Sequence, residues 1–561
     1  MTRTCGTMHR MPTAMGWWCG DPEEVRTGAA DVADALACVG TPVFAVEVDG
    51  AVGVTSTGRA TLAAEGGGEG YRLRGYAPAL APEQLGDPEF RKDHGVRYAY
   101  VAGAMANGIT SERLVEAMAR AGMLAYFGSA GLDPARVEQA IERLDGLGEL
   151  PYGFNLIHSP NEPDLEAAVV DLYLRRGVRR VSASAYLGLT LPLVRYRLRG
   201  VHRDASGRVV APNRVTAKVS RVEVARRFFS PAPQDLVAAL VQAGELTADQ
   251  AQMALEIPVA DDLTAEADSG GHTDNRPALA LIPTMLALRD ELQAKHGYAS
   301  RLRVGAAGGI ATPASTAAAF ALGAAYVLTG SINQACVESG SSDAVRQMLA
   351  EAGQADVMMA PAADMFEMGV QVQVLKRGTM FGMRARKLYE LYRAHASIEA
   401  LPAAQRAVLE RDYFRCTLEE AWAQTRAFFA VRDPRQIERA EGDARFKLAL
   451  VFRKYLGQSS RWANAGEPTR QADYQVWCGP AMGAFNEWTR GTFLAEPARR
   501  DVVTVARNLL TGAAALTRAS WLRSAGVALP PEAERFAPRE AGALDRLGGA
   551  AATAVAEGIA N

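Results

Sequence analysis

Paired cysteines are missing. The six in the chain (Cys5, Cys19, Cys38, Cys336, Cys416 and Cys478) are scattered over 561 residues with no C-x-x-C motif. This indicates neither a zinc site nor a disulfide framework; no metal is expected, and a reducing cytoplasm is the expected setting. Charge of one sign is also missing. A formal net charge of −2 gives no reason to expect nucleic acid or a membrane surface as a partner. The N-terminus, MTRTCGTMHRMPTAMGWWCG, has charges but no apolar h-region, so it does not read as a signal peptide. The least polar window, Thr312 to Gly330, is rich in Ala and Gly and broken by Pro313 and Gly323, which suits a barrel interior better than a membrane span. No strand is followed by G-x-G-x-x-G, so any nicotinamide coenzyme has to be held without a Rossmann turn.

What is present is a regular alternation of short apolar strands with helices. Starting at Arg97, strands are expected in RYAYVAGA, MLAYFGSA, YGFNLI, VRRVSASA, VTAKVS and LTAEAD. Ser111 and the Asp133-Pro134 pair are natural openers of the helices between the first of them. The stretch RLRVGAAGGIATPASTAAAFALGAAYVLTGS (301 to 331) supplies a complete β-α-β unit and so the seventh and eighth strands. Eight strands predict a closed α/β barrel, the TIM (β/α)₈ barrel; an open doubly wound sheet would show the same alternation. The chain exceeds one barrel, so it divides into a β-containing N-terminal segment (1–75), a barrel (76–390) with insertions near 186–214 and 221–260, and a helical C-terminal region (391–561). TPVFAVEVDGAVGVTS reads as a hairpin turning at Val48-Asp49-Gly50, AEGGGEG (64–70) as a connector, and GALDRLGGAAATAVAEGIAN as a loosely ordered end. After Glu367 the pattern reads as helical, with segments at 383–396, 417–429, 445–456 and 507–526.

In such a barrel the reactive groups sit at the C-terminal ends of the strands. These ends hold Ala104 and Met105, Asn155, Lys218, the loop ADSGGHTDNRP with His272, Gly308-Gly309, and Gly330-Ser331. Two glycines after the seventh strand suit close backbone approach by a phosphate, though a small-residue packing turn reads the same way. His272 follows two glycines and can reach the barrel mouth; a helix cap or surface role is the bland alternative. Lys218, on an apolar strand, either meets an anion or electron-rich ring or snorkels to the rim. There is no Ser-His-Asp set and no pair of carboxylates, so a bound cofactor fits these residues better than hydrolysis or a sugar-phosphate lyase.

The motifs VAGAMANGITS, PYGFNLIHSP, VTAKVSR, EADSGGHTDNRP, VGAAGGIATP and VLTGS, in this order, resemble the flavin-dependent nitronate monooxygenase and enoyl-reductase superfamily. With MGWWCG, MFEMGVQVQVLKRGTMF and DYQVWCGPAMGAFN on either side, the chain is most similar to the PfaD-type trans-acting enoyl reductases of polyunsaturated fatty acid and polyketide synthases. The resemblance implies FMN, with Gly308, Gly309, Gly330 and Ser331 at its phosphate, Ala104 and Met105 along the ring, Asn155 hydrogen-bonded to it and Lys218 near its pyrimidine edge. It implies His272 as the active-site histidine, in a loop two residues longer than the E-A-G-G-H pattern of many members. It also implies reduction of 2-enoyl thioesters by NADPH or NADH, acyl carrier protein domains as partners, and a homodimer. A nitronate-oxidising flavoenzyme and a non-catalytic megasynthase scaffold are the rival readings. VRYRLRGVHR (194–203) and LKRG (375–378) are candidate basic surfaces for an acidic carrier.

Overall fold

The computed structural model describes residues 15–62, 70–160 and 162–548. Most of the 64–70 connector and the end of the chain from 549 lie outside the described residues, as does the start of the chain up to 14. The chain groups into two compact units, one of residues 1–85, 312–321 and 504–561, the other of 86–311 and 322–503.

The first unit is built on an antiparallel sheet in the order Ala51–Thr55, Val43–Val48, Tyr71–Ala77, Gly16–Cys19, Arg59–Thr61. Val43–Val48 and Ala51–Thr55 form the expected hairpin, with Asp49 and Gly50 both at positive φ (50° and 81°), as a tight two-residue turn requires. The helix Val502–Ser524 joins this unit for most of its length. Its Leu522 and Ala519 pack against Val32, Leu36 and Val43, and buried Arg518 donates to the carbonyls of Leu36 (2.7 Å) and Cys38 (3.0 Å). Nothing local in the sequence announces that partnership. Part of the end expected to be loosely ordered is in fact helical, Ala541–Gly548, and buries Leu544.

The second unit contains the barrel. Its eight parallel strands close in chain order: Tyr100–Ala102, Leu124–Phe127, Gly153–Ile157, Arg180–Ser184, Arg214–Val219, Asp262–Glu266, Arg303–Ala307 and Val327–Thr329. The eighth pairs with the first (Val327 with Tyr100), which removes both edges of the sheet. Tyrosines fill the interior and satisfy their hydroxyls on threonines: Tyr126 with Thr216 at 2.7 Å, across the barrel, and Tyr326 with Thr264 at 2.7 Å. Gly153 and Gly305 leave room for these rings; a Cβ at Gly305 would stand 2.3 Å from the ring of Tyr326.

The N-terminal end of the barrel is closed by an ion network. Arg303 donates through Nε to Asp262 Oδ1 (2.6 Å) and through a terminal nitrogen to Asp93 (2.7 Å), while His94 Nε2 meets Asp262 Oδ2 at 2.7 Å. Burial alone would raise the Asp262 pKa, but Arg303 and His94 outweigh it and hold the carboxyl well below the usual range. Its contribution to stability is therefore present above the ordinary Asp range and is lost as pH falls. Asp262→Ala would strand Arg303 in the interior, and urea denaturation should show a loss of about 3–5 kcal/mol. A loss under about 1 kcal/mol, the scale of an exposed pair, would show that the network is not what holds this end.

Between the fourth and fifth strands lie helix Leu191–Leu198 and a small hairpin (His202–Arg203 with Val209–Val210), and between the fifth and sixth lie helices Val222–Phe228, Gln234–Gln242 and Ala248–Met253. The basic run 194–203 is corrected by its partners: Arg195 binds Asp171 and Glu245, buried Arg197 binds Asp261, and Arg203 binds Glu256. Those charges tie the insertion down and leave little free field for a carrier.

The region after Glu367 is not purely helical. Gln371–Leu375 is a strand, antiparallel both to Val357–Pro361, which precedes Glu367, and to Gly271–His272. The alternation in VQVQVL is a strand signal, and here it prevails over the helical expectation. Helices Phe381–Ala394, Leu418–Arg432 and Ala444–Ala465 then pack around Phe366, Leu388, Leu448 and Phe452.

Candidate active site

A cavity of about 1070 Å³ opens at the C-terminal end of the barrel strands. Five of the residues expected there line it: Ala104, Met105, Asn155, Lys218 and His272. The first strand runs out through Gly103 into Ala104-Met105, and Thr110 pins that exit by donating to the Gly103 carbonyl (2.7 Å) and accepting from the Met105 amide (2.9 Å). Asn155, in the third strand, is almost fully buried; its Nδ2 donates to the Ser182 carbonyl (3.0 Å) and to Ser184 Oγ (3.2 Å). Ala185, just past the fourth strand, has φ of 62°, and Asn107 and Asn275, which also line the cavity, have positive φ as well. Strained backbone of this kind costs about 1–3 kcal/mol per residue and gathers at sites where geometry matters more than stability.

Lys218 does not stand alone. Its ammonium is ion-paired with Glu266 at the end of the sixth strand, and Glu266 also accepts from Ser269 Oγ at 3.0 Å. The pair lets a lysine sit on an apolar strand and keeps the local net charge near zero.

His272 is placed by two unexpected partners. The first is the strand Gln371–Leu375, which pairs His272 with Val372 and Gly271 with Gln373. The Gln373 side chain then donates to Asp268 (2.8 Å) and to the Ser269 carbonyl (2.7 Å), locking the longer loop from both sides. The second is Asp364, whose Oδ1 lies 3.1 Å from His272 Nε2. Both residues line the cavity. Burial pulls the imidazole pKa down, but the Asp364 carboxylate outweighs it, so the net shift is upward. Asp364 moves the opposite way: burial would raise it, and His272 holds it low. Sequence reasoning misses Asp364 because it lies far along the chain from His272, with only the adjacent MFEMG motif to draw attention to it.

The four residues expected at a phosphate, Gly308, Gly309, Gly330 and Ser331, are not among those lining the large cavity. They converge beside one another, because the seventh and eighth strands pair Ala307 with Leu328 and the chain then continues to Gly309 and Gly330. Gly308 and Gly309 are left-handed (φ 81° and 78°). A Cβ at Gly308 would meet the Ala267 backbone at 2.6 Å, whereas at Gly309 and Gly330 it would meet nothing within 4 Å. Gly309 and Gly330 thus bound open space that side chains would fill, with the Ser331 hydroxyl beside it accepting from the Gly479 amide at 3.2 Å. The Cys478-Gly479 segment beside Ser331 also packs on Gly270 of the cavity lining, so the cradle lies next to the cavity and the two together suit a flavin with a phosphate tail. Among the described residues no group of His, Cys, Asp and Glu could hold a metal ion.

Comparison with known proteins agrees with the geometry. Residues 90–387 match the nitronate monooxygenase family, and residues 395–474 match the inserted helical domain of [acyl-carrier-protein] S-malonyltransferase. The enoyl reductase domain of MlnA, from the macrolactin biosynthesis cluster of Bacillus amyloliquefaciens, is 39% identical with a TM-score of 0.74, over 79% of this chain and 98% of that one. PksE, a polyketide biosynthesis protein of Bacillus subtilis, is 44% identical over 445 residues, 79% of this chain and 58% of PksE. A polyunsaturated fatty acid synthase component of Thraustochytrium sp. is 46% identical over 448 residues, 78% of this chain but 30% of that much longer protein. The chain therefore belongs to the nitronate monooxygenase family of (β/α)₈ barrel oxidoreductases. The helical domain joined to that barrel, with these relatives, places it in the PfaD-type enoyl-reductase branch.

Proposed function

We propose that this protein is an FMN-dependent, trans-acting enoyl reductase that reduces 2-enoyl thioesters carried on acyl carrier protein domains, in polyunsaturated fatty acid or polyketide biosynthesis. The observation that carries this reading is the imidazole of His272, whose charged form Asp364 favours inside the cavity. Reduction of the double bond needs a hydride at the β-carbon and a proton at the α-carbon. FMN, held by the residues named below, would supply the hydride, drawn from NADPH or NADH. His272 supplies the proton, or a hydrogen bond to the thioester oxygen as negative charge develops on it. The Gly308-Gly309 turn, Gly330 and Ser331 hold the phosphate, and Ala104, Met105 and Asn155 border the ring. Lys218 brings positive charge toward the ring's pyrimidine edge, moderated by Glu266. Met105, Met359, Met365 and Met368 also line the cavity, and their flexible thioethers accommodate acyl chains of differing shape.

Anaerobic mixing tests the proposal against a nitronate-oxidising enzyme. The purified protein should be yellow, bleach with NADPH or NADH, and recover its colour with crotonyl or longer enoyl thioesters. Bleaching by an alkyl nitronate without nicotinamide would favour the oxidase, and a colourless protein that does not take up FMN would favour a scaffold. Carrier proteins as partners, a homodimer and a cytoplasmic location belong to the same proposal. Among the described residues no helix is long and apolar enough to cross a membrane.

A further inference from the structure

One wall of the cavity comes from helices Leu418–Arg432 and Ala444–Ala465, inside the region that matches the malonyltransferase helical domain. This wall carries Arg432, Arg453, Lys454 and Arg461, all lining the cavity. Two of them are committed. Arg432 is held by Glu162 (2.6 and 3.1 Å), and Arg453 by Glu367 (3.1 Å) and the Ala363 carbonyl (2.9 Å). Lys454 and Arg461 have no carboxylate partner among the described residues. The half-buried Lys454 ammonium donates to the neutral amide oxygen of Gln424, and the Arg461 guanidinium lies 5.8 Å from the centre of the Phe428 ring.

The other charges of the cavity are already matched: Lys218 with Glu266, Arg221 with Asp274, His272 with Asp364. Glu166 is turned to the Tyr186 hydroxyl (2.9 Å) and to Thr190. Glu166 also faces His158 Nδ1 at 3.3 Å, and the positive charge left without a carboxylate partner is confined to the helical wall. Lys454 and Arg461 are seven residues apart, two turns on one helix face and about 10 Å along its axis, so that both long side chains can close on one anion. Phe428, next to Arg461, and Leu187 and Met368 elsewhere on the lining expose apolar surface to the same cavity. A phosphate at the end of a largely uncharged arm complements that arrangement: half-buried Lys454 gains a counter-ion for a cation that is costly without one, and the exposed Arg461 supplies a second donor at the cavity edge.

The geometry points to a phosphate-binding subsite formed by Lys454 and Arg461 on the helical wall, separate from the Gly309-Gly330 cradle. Resting on the function proposed above, its ligand is a phosphate ester of one of two sources: the phosphopantetheine arm that carries the acyl thioester, or the nicotinamide dinucleotide.

Titration calorimetry on the FMN-loaded protein tests this without turnover. The probes are 4′-phosphopantetheine, pantetheine without its phosphate, and NADP⁺, which carries the dinucleotide phosphates but cannot reduce the flavin. For the Lys454→Ala, Arg461→Ala double variant we expect affinity for one phosphate-bearing probe to fall about tenfold or more, with pantetheine unaffected. Weakening of phosphopantetheine assigns the carrier arm, and weakening of NADP⁺ assigns the dinucleotide. Partial recovery in Lys454→Arg, Arg461→Lys would confirm that charge is the cause. If neither probe weakens by more than about twofold, or wild type binds neither, the subsite is refuted. Binding that follows these residues in a protein unable to reduce enoyl thioesters would leave the subsite standing and overturn the enoyl reductase instead.

Discussion

Replacing His272 by Ala should leave the protein yellow and slow reduction of an enoyl thioester by about 10²- to 10⁴-fold, the range over which a positioned acid contributes. Colour is expected to survive because His272 is not part of the phosphate cradle. Stopped-flow recovery of flavin absorbance after mixing reduced enzyme with crotonyl thioester isolates the step in question, and an unchanged rate would remove His272 from the mechanism. The companion variant, Asp364→Asn, tests why the imidazole is an acid. In the native protein the raised pKa extends protonation of His272 to higher pH, so the rate should fall only as pH rises through that raised value. Without the carboxylate, burial is left to pull the pKa down and the alkaline limb should move to lower pH. Above the new pKa, each unit of displacement removes about tenfold of the protonated form. A rate profile that stays in place would show that Asp364 is merely a structural neighbour.

Gly309→Val should abolish flavin retention. The backbone there is left-handed with φ of 78°, and a side chain would enter the open space beside Gly309 where the phosphate is proposed. Conformational strain of about 1–2 kcal/mol accompanies any such substitution and could be mistaken for the cause. Gly323→Val supplies the control: its φ is 99°, and a Cβ there makes only an ordinary contact, 3.6 Å from Leu286. The two variants should melt similarly, whereas only the Gly309 variant should purify colourless. A Gly309→Val protein with full flavin content would refute the phosphate placement.

Much of the barrel was legible because each strand is a short apolar run followed by a capped helix. Asp133 caps the helix Pro134–Asp145 (2.9 Å to the Arg136 amide) as the Asp-Pro pair leads one to expect. Positions at the strand ends could be read for the same reason, since barrel topology alone carries Met105, Asn155, Lys218 and His272 to one mouth. The partners of those residues could not. Glu266 faces Lys218 from the next strand, Asp364 meets His272 from 92 residues away, and the strand Gln371–Leu375 fixes the histidine loop by register. Such pairings depend on where distant segments return, and no local period encodes that return. The helical wall with Lys454 and Arg461 was likewise invisible, because its residues read individually as ordinary helix.

The strand beside His272 has a practical consequence for anyone trimming or transplanting this enzyme. A fragment ending soon after the eighth barrel strand, at Ser331, would keep the cradle residues yet lose the ladder that registers the histidine, the carboxylate that favours its charged form, and the Gly479 amide that donates to Ser331. The reactive unit is therefore longer than the barrel, and any shortened version must continue at least as far as Gly479.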